Sequence, residues 1–188
     1  MKYKKQLITA ALLGLMLAGL GLIYSVFSSS GVTSSTNQIE SGTEPQENLV
    51  PAVSLPTLGG EEINLLEDRG EVTILFAMSY WCTTCVPEAR ALARLIDEYE
   101  EQGLRVVVID LDPDVNPEQL QTFIDEVGEN RLTWTFDPEA DFMRRYNVRA
   151  LDTTIIVNAD GYEVYRDIQP TSYDTLQAAI EQLFEGES

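Results

Sequence analysis

Trp81-Cys82-Thr83-Thr84-Cys85 holds the chain's only two cysteines, and it follows directly on the apolar run Val72-Thr73-Ile74-Leu75-Phe76-Ala77-Met78. The residues after it, Pro87 to Glu101, carry Ala89, Leu92, Leu95, Ile96 and Tyr99 at the spacing of a half-buried helix. A strand that hands a C-x-x-C pair to a helix N-terminus constrains the fold and the chemistry together. The free N–H groups and macrodipole of a helix start favour a thiolate, which is the attacking species in disulfide exchange. Two residues between the cysteines let the second sulfur reach the first and resolve a mixed disulfide. In strand–C-x-x-C–helix context the motif is a strong redox signal.

The pair has two competing uses, a structural zinc site and a structural disulfide. A structural zinc site wants four ligands, and the chain has no histidine and no second cysteine pair. A purely structural disulfide across so short a loop stabilises little, because loop-closure entropy grows with loop length. The redox reading is the better supported of the three.

Around this motif the chain reads as alternating strands and helices. Val53 to Leu55 and Glu62 to Leu65 are short strands around Gly59-Gly60. Val72 to Met78 has the unbroken apolar character of a central strand, and Leu104 to Leu111 follows as another after a helix stop at Gly103. Pro117 to Val127 is an amphipathic helix with Leu120, Phe123, Ile124 and Val127 inward and Gly128 at its end. Leu132 to Phe136 is a short strand and Pro138 to Tyr146 a short helix. Thr153 to Val157 and Tyr162 to Asp167 form a hairpin around Asn158-Ala159-Asp160-Gly161. Ser172 caps a last helix, Tyr173 to Phe184. The order β-α-β-α-β, then hairpin and helix, predicts an α/β domain: a mixed sheet covered on both faces, over residues 49–188.

The N-terminal part has a different character. Residues 1–6 include Lys2, Lys4 and Lys5; residues 7–27 contain no charged side chain and, as a helix, extend roughly 30 Å, about one hydrocarbon core. Such a run suits a single-pass signal-anchor better than a cleaved signal, whose apolar stretch is usually about 7–15 residues. All the lysines precede the run, so the reading is a protein of the cell membrane with its N-terminus cytoplasmic and its domain extracytoplasmic. Residues 28–48, rich in Ser, Thr, Gly, Asn, Gln and Glu, read as a flexible tether.

The net charge is −19, and the whole acidic load lies after the apolar run. Nine arginines face 31 acidic residues there, so the exported part carries about −22. Nucleic acid and anionic lipid headgroups are poor partners for such a surface.

Several stretches resemble the thioredoxin superfamily, and within it the membrane-anchored TlpA/ResA-like branch of thiol–disulfide oxidoreductases. Val53-Ser54-Leu55-Pro56, Gly59-Gly60 and Ile63-Asn64-Leu65 resemble that branch's N-terminal β-hairpin. Trp81-Cys82-Thr83-Thr84-Cys85 matches its active-site motif, and Glu88 a glutamate common just after it. Tyr146-Asn147-Val148-Arg149 through Thr153 to Gly161 matches a stretch written Y-G-V-x-G-x-P-T-T-x-x-I-D-x-D-G. The resemblance spans roughly Val50 to Phe184. It implies a thioredoxin-like fold with Cys82 as exposed nucleophile, Cys85 as buried resolving thiol, a redox-active Cys82–Cys85 disulfide as the only redox group, and Trp81 shielding the pair. It also implies partners: thiols and disulfides of exported proteins, apocytochrome c among them, and a membrane thiol transporter as electron source.

The departures from that pattern bear on function. Where the family carries a cis-proline, between Leu151 and Thr153, this chain has Asp152. A cis bond before a non-proline residue costs about 3–4 kcal/mol, so the Leu151–Asp152 bond is expected to be trans. A carboxylate near the sulfurs raises their pKa values; the alternative is a solvated Asp152 pointing away. Phe76 stands where thioredoxins proper bury a carboxylate, leaving Asp110, Asp112 or Asp114 as substitutes. Thr83 and Thr84 lack the proline common between the cysteines. Two further functions follow: a weakly active or redox-inactive accessory subunit of a membrane complex, and, ranked last for want of a histidine, a metal site made by Cys82, Cys85 and Asp152.

Overall fold

The computed structural model describes residues 48–128 and 131–186. The expected basic segment and membrane anchor, and all of the tether but Asn48, lie outside the described residues. Among the described residues no helix is long and apolar enough to cross a membrane.

Among the described residues, eight strands and four helices follow in the order β1 (Asn48–Leu49), β2 (Ser54–Pro56), β3 (Glu62–Asn64), β4 (Val72–Met78), α1 (Val86–Tyr99), β5 (Leu104–Asp110), α2 (Pro117–Val127), β6 (Thr133–Phe136), α3 (Asp141–Arg145), β7 (Thr153–Asn158), β8 (Tyr162–Asp167) and α4 (Tyr173–Gly186). A single 3-10 turn, Thr83–Cys85, leads into α1, and another, Glu100–Gln102, closes it at left-handed Gly103. Six strands form one sheet in the order β1-β8-β7-β4-β5-β6. β4, β5 and β6 run parallel, β7 lies antiparallel to β4 and β8 antiparallel to β7, so the sheet is mixed as expected.

β4 is the middle of this sheet, and all seven of its residues are buried. Alternate side chains leave a strand on opposite faces, so both faces here must be covered. Ile74, Phe76 and Met78 pack among Ala89, Leu92 and Leu95 of α1, Leu120 and Phe123 of α2, and Leu176 and Ile180 of α4. Leu75 and Ala77 pack on the other face with Val53, Leu55 and Ile63 of the N-terminal hairpin region and Phe142 of α3. β2 and β3 pair antiparallel as a separate two-stranded sheet, through Leu55 opposite Ile63. Each fully buried Leu, Ile or Phe contributes about 1.5–3 kcal/mol relative to exposure.

Two elements differ from the sequence reading. β1 pairs with β8 through only two residues, Asn48 opposite Glu163 and Leu49 opposite Tyr162, too few to leave a period-2 pattern. α3 begins at Asp141 rather than Pro138 because the Asp137 carboxylate accepts from the Phe142 and Met143 N–H groups, at 3.1 and 2.9 Å, while Ala140 turns through φ 55°. That carboxylate satisfies the first-turn donors from four residues upstream of the helix start.

The register sets the site. Met78, the last residue of β4, lies opposite Asp110, the last of β5, and Ala77 lies opposite Thr153, the first of β7. The C-terminal edge of the parallel strands and the loop entering β7 therefore meet at one end of the sheet.

Candidate active site

At that end Cys82 and Cys85 are joined by a disulfide. The turn is fixed by its own backbone: Cys82 N–H donates to the Ser79 carbonyl at 2.8 Å and Cys85 N–H to the Cys82 carbonyl at 3.0 Å. Cys85 is the N-cap residue of α1, Pro87 sits in the first turn, where a missing N–H is no loss, and no side chain caps this helix start. The positive end of α1 thus faces the sulfurs. Cys85 is fully buried, whereas Cys82 keeps 7% of its surface. Cys82, expected to be exposed, is therefore buried as well, and of the two cysteines it alone keeps any surface for an incoming group to reach.

Asp152 turns inward. It adopts a left-handed φ of 55°, tolerable for an aspartate, and the described residues contain no cis peptide, so the expected trans bond at Leu151–Asp152 is present. The alternative of a solvated Asp152 pointing away is overturned: the residue is 6% exposed, and one carboxylate oxygen and both sulfurs lie within 4.8 Å of one another. The Thr84 hydroxyl donates to Asp152 Oδ2 at 3.3 Å and stands 3.3 Å from Cys82 Sγ. Among the described residues Asp152 Oδ1 has no hydrogen-bond partner, although it is buried. Burial raises the Asp152 pKa, and the Thr84 hydrogen bond opposes that rise.

Glu88 is the second buried carboxyl, 1% exposed, one helical turn beyond Cys85. It accepts from the Thr154 hydroxyl of β7 and from the Thr171 N–H, the latter at 2.7 Å. Burial, with smaller repulsion from Asp152 and Asp167, pushes it to about 7, against the pull of those hydrogen bonds. The helix pattern held a signal for it: positions 85, 88, 89 and 92 form one face, and Glu88 is the polar member among apolar ones.

The three aspartates after β5 have separate places. Asp110 is buried and accepts from the N–H groups of Tyr80 and Asp112, both at 2.8 Å, so it ties the end of β5 to the segment entering the dithiol; burial lifts it to about 6. Asp112 accepts the Trp81 indole N–H at 2.9 Å. Asp114 lies on the rim. Phe76 is fully buried among apolar neighbours, so its position carries no carboxyl.

Trp81 is 58% exposed and forms one wall of a groove of about 350 Å³, shared with Asp112, Asp114, Met143, Arg149 and Leu151. Leu151 is half-buried at the groove's inner edge. Thr153 is buried, its hydroxyl donating to the Ala150 carbonyl at 2.8 Å, which shapes the loop carrying Asp152. Thr83 is exposed beside Thr84. The structure therefore brings Cys82, Cys85, Thr84 and Asp152 into one cluster, Trp81 and Leu151 onto its open side and Glu88 beneath it.

Residues 47–165 match the family model described as the AhpC/TSA family. The sporulation thiol-disulfide oxidoreductase A of Bacillus subtilis (strain 168) is 27% identical over 143 residues, 74% of this chain and 84% of that protein. The thiol-disulfide oxidoreductase ResA of Halalkalibacterium halodurans is 30% identical over 108 residues, covering 57% of this chain and 59% of that protein's length. Among solved structures, a thioredoxin-like protein from Aeropyrum pernix superposes with a TM-score of 0.60 at 28% identity, over 70% of this chain and 89% of that one.

Proposed function

The chain belongs to the AhpC/TSA family, within the TlpA/ResA-like branch of thioredoxin-like proteins, and on that premise we propose that it is a thiol–disulfide oxidoreductase working through Cys82 and Cys85. The observation that carries this reading is the Cys82–Cys85 disulfide at the head of α1, with Cys85 sealed and Cys82 keeping a small exposed surface.

In the reducing direction the Cys82 thiolate attacks one sulfur of a substrate disulfide. A mixed disulfide forms, and the first substrate sulfur leaves as thiolate. Cys85 then attacks Cys82 Sγ, releasing the second substrate thiolate and re-forming the Cys82–Cys85 bond. Two electrons pass from protein to substrate, and a reduced thiol donor must restore the pair. The α1 N-terminus favours both attacking thiolates. Asp152 opposes them, since an ionised carboxyl beside a thiol disfavours its charged form. Exchange is therefore expected to be slow at neutral pH for a protein of this kind.

The finer reading places the domain outside the cytoplasm, tethered by residues 7–27, acting on thiols and disulfides of exported proteins, with a membrane thiol transporter as donor and apocytochrome c maturation as one setting. The polar tether, the apolar run and the lysine placement support it.

The test uses the full chain held in mild detergent. Insulin reduction coupled to dithiothreitol should be measurable, and Cys82→Ser should abolish it. Cys85→Ser should accumulate a mixed disulfide through Cys82, which Cys82→Ser cannot form through Cys85. Equal turnover in wild type and Cys82→Ser sinks the assignment.

A further inference from the structure

The Asp152 carboxyl is an unusual group to bury. Its residue is 94% enclosed, Thr84 satisfies Oδ2, and Oδ1 has no hydrogen-bond partner among the described residues. A buried acceptor without a donor opposes folding unless something else uses it. The atoms nearest to that purpose are the two sulfurs, which lie with a carboxylate oxygen inside a 4.8 Å cluster.

We propose that the reduced form of this protein binds one thiophilic divalent cation of the zinc and cadmium class, held by Cys82 Sγ, Cys85 Sγ and Asp152. The inference rests on the dithiol being reducible, as the oxidoreductase reading requires.

A dithiol reductant gives two electrons and two protons to the Cys82–Cys85 bond, which breaks to two thiols, and the reductant becomes a disulfide. The cation displaces both thiol protons to solvent and forms two metal–sulfur bonds. Metal–sulfur bonds of about 2.3 Å and a metal–oxygen bond of about 2.0–2.2 Å suit a cluster of this span. Three protein ligands leave a fourth position for water on the side where Cys82 reaches the surface.

Charge supplies the driving force. Two thiolates and a carboxylate in one enclosed place repel one another, so the metal-free reduced site must hold protons. A divalent cation removes that conflict and leaves a net charge of −1. The thiolate pair selects against calcium and magnesium, which prefer oxygen ligands. The chain's net charge of −19 raises the local concentration of any cation. With no histidine and no other cysteine in the sequence, a soft ion has no rival site of the same kind.

Oxidation removes both thiolates, so the proposed site exists in one redox state only. A bound ion also occupies the Cys82 lone pair that attacks a substrate, so metal binding and disulfide exchange exclude each other.

The full chain in mild detergent would be reduced with dithiothreitol, freed of it without air, and assayed for two reactive thiols. Cadmium is then titrated against a chromogenic chelator, with ultraviolet thiolate–cadmium absorption as second readout. One cadmium per reduced chain is expected, and none per oxidised chain. Asp152→Asn keeps side-chain shape and tolerates the left-handed backbone; it should weaken binding at least tenfold while retaining two reactive thiols and wild-type circular dichroism. Unchanged affinity in Asp152→Asn overturns the proposal, because a two-sulfur chelate then suffices. Two free thiols with no cadmium bound overturn it also, and leave the oxidoreductase reading intact. A chain whose disulfide cannot be reduced overturns both.

Discussion

The Thr84 hydroxyl donates to Asp152 Oδ2 at 3.3 Å and stands 3.3 Å from Cys82 Sγ, linking the sulfur to the carboxylate. Sequence separation between the two residues is 68 positions, and the strand register of β4 against β7 closes it. In the reduced protein the same path lets a Cys82 S–H point at Thr84 Oγ1 while Thr84 points at the carboxylate. Such a chain holds the proton on sulfur and biases the pair toward thiol.

Removing the carboxylate charge should therefore free the thiolate. Asp152→Asn is expected to lower the Cys82 pKa, because a carboxylate charge beside the thiol disfavours the thiolate. Thiolate absorbance of the reduced protein followed against pH measures this. Alkylation by iodoacetamide at pH 7 should accelerate in parallel. An unchanged or higher pKa shows that Asp152 does not act on the sulfur.

Thr84→Val removes the only hydrogen bond that the Asp152 carboxyl makes among the described residues. Burial already raises its pKa, and the Thr84 hydrogen bond is what pulls it back. The carboxyl of the valine variant should titrate at higher pH than in wild type. Carbon-detected NMR of the oxidised protein reports that midpoint directly. A midpoint that stays put means the hydroxyl donates elsewhere in solution.

How much of this was legible in the sequence depends on range. β4 and α2 fall where the apolar pattern put them, because an all-apolar seven-residue run and a 3.6-residue period are local signals. The dithiol and the replacement at residue 152 were legible too. The direction of the Asp152 side chain was not, since it depends on Thr153 pairing with Ala77 far upstream. Thr84 read as an active-site residue that lacks the proline common between the cysteines, but its bond to Asp152 was not legible, because it exists only once that pairing forms. Glu88 was visible as a motif match, but its enclosure depends on Thr154 and Thr171, both distant in sequence.

Gly103 gives a test of the fold apart from chemistry. It ends the 3-10 turn after α1 with φ 94°, and a Cβ there would come within 2.6 Å of Glu71 Cγ and 2.9 Å of Glu71 Cβ. Gly103→Ala meets both the left-handed penalty and that contact, and should destabilise by about 1–3 kcal/mol. Urea midpoints of the oxidised proteins measure the loss. Insulin reduction at 25 °C should change little, because residue 103 sits at the opposite end of β5 from the dithiol. A midpoint equal to wild type shows that Glu71 and the turn relax at no expense.

Glu88 makes stability depend on pH in a direction that distinguishes it from a salt-bridged carboxylate. Its pKa rises from 4.5 to about 7, chiefly through burial. Below pH 4.5 both folded and unfolded chains hold the proton, and Glu88 adds no pH dependence. Between 4.5 and 7 the unfolded chain releases the proton while the folded chain keeps it, so stability falls as pH rises. Above 7 the full penalty, about 3 kcal/mol, persists. Asp110, lifted from 3.8 to about 6, acts in the same sense over a lower window. Glu88→Gln removes the ionisation while its amide oxygen still accepts from the Thr171 N–H and its NH2 faces the Thr154 hydroxyl. The stability difference, Glu88→Gln minus wild type, should therefore increase by about 2–3 kcal/mol between pH 5 and pH 8, measured by urea unfolding of the oxidised proteins. A difference that does not move with pH means the Glu88 carboxyl titrates alike in the folded and unfolded chains, and its burial beneath the dithiol is then relieved by water in solution.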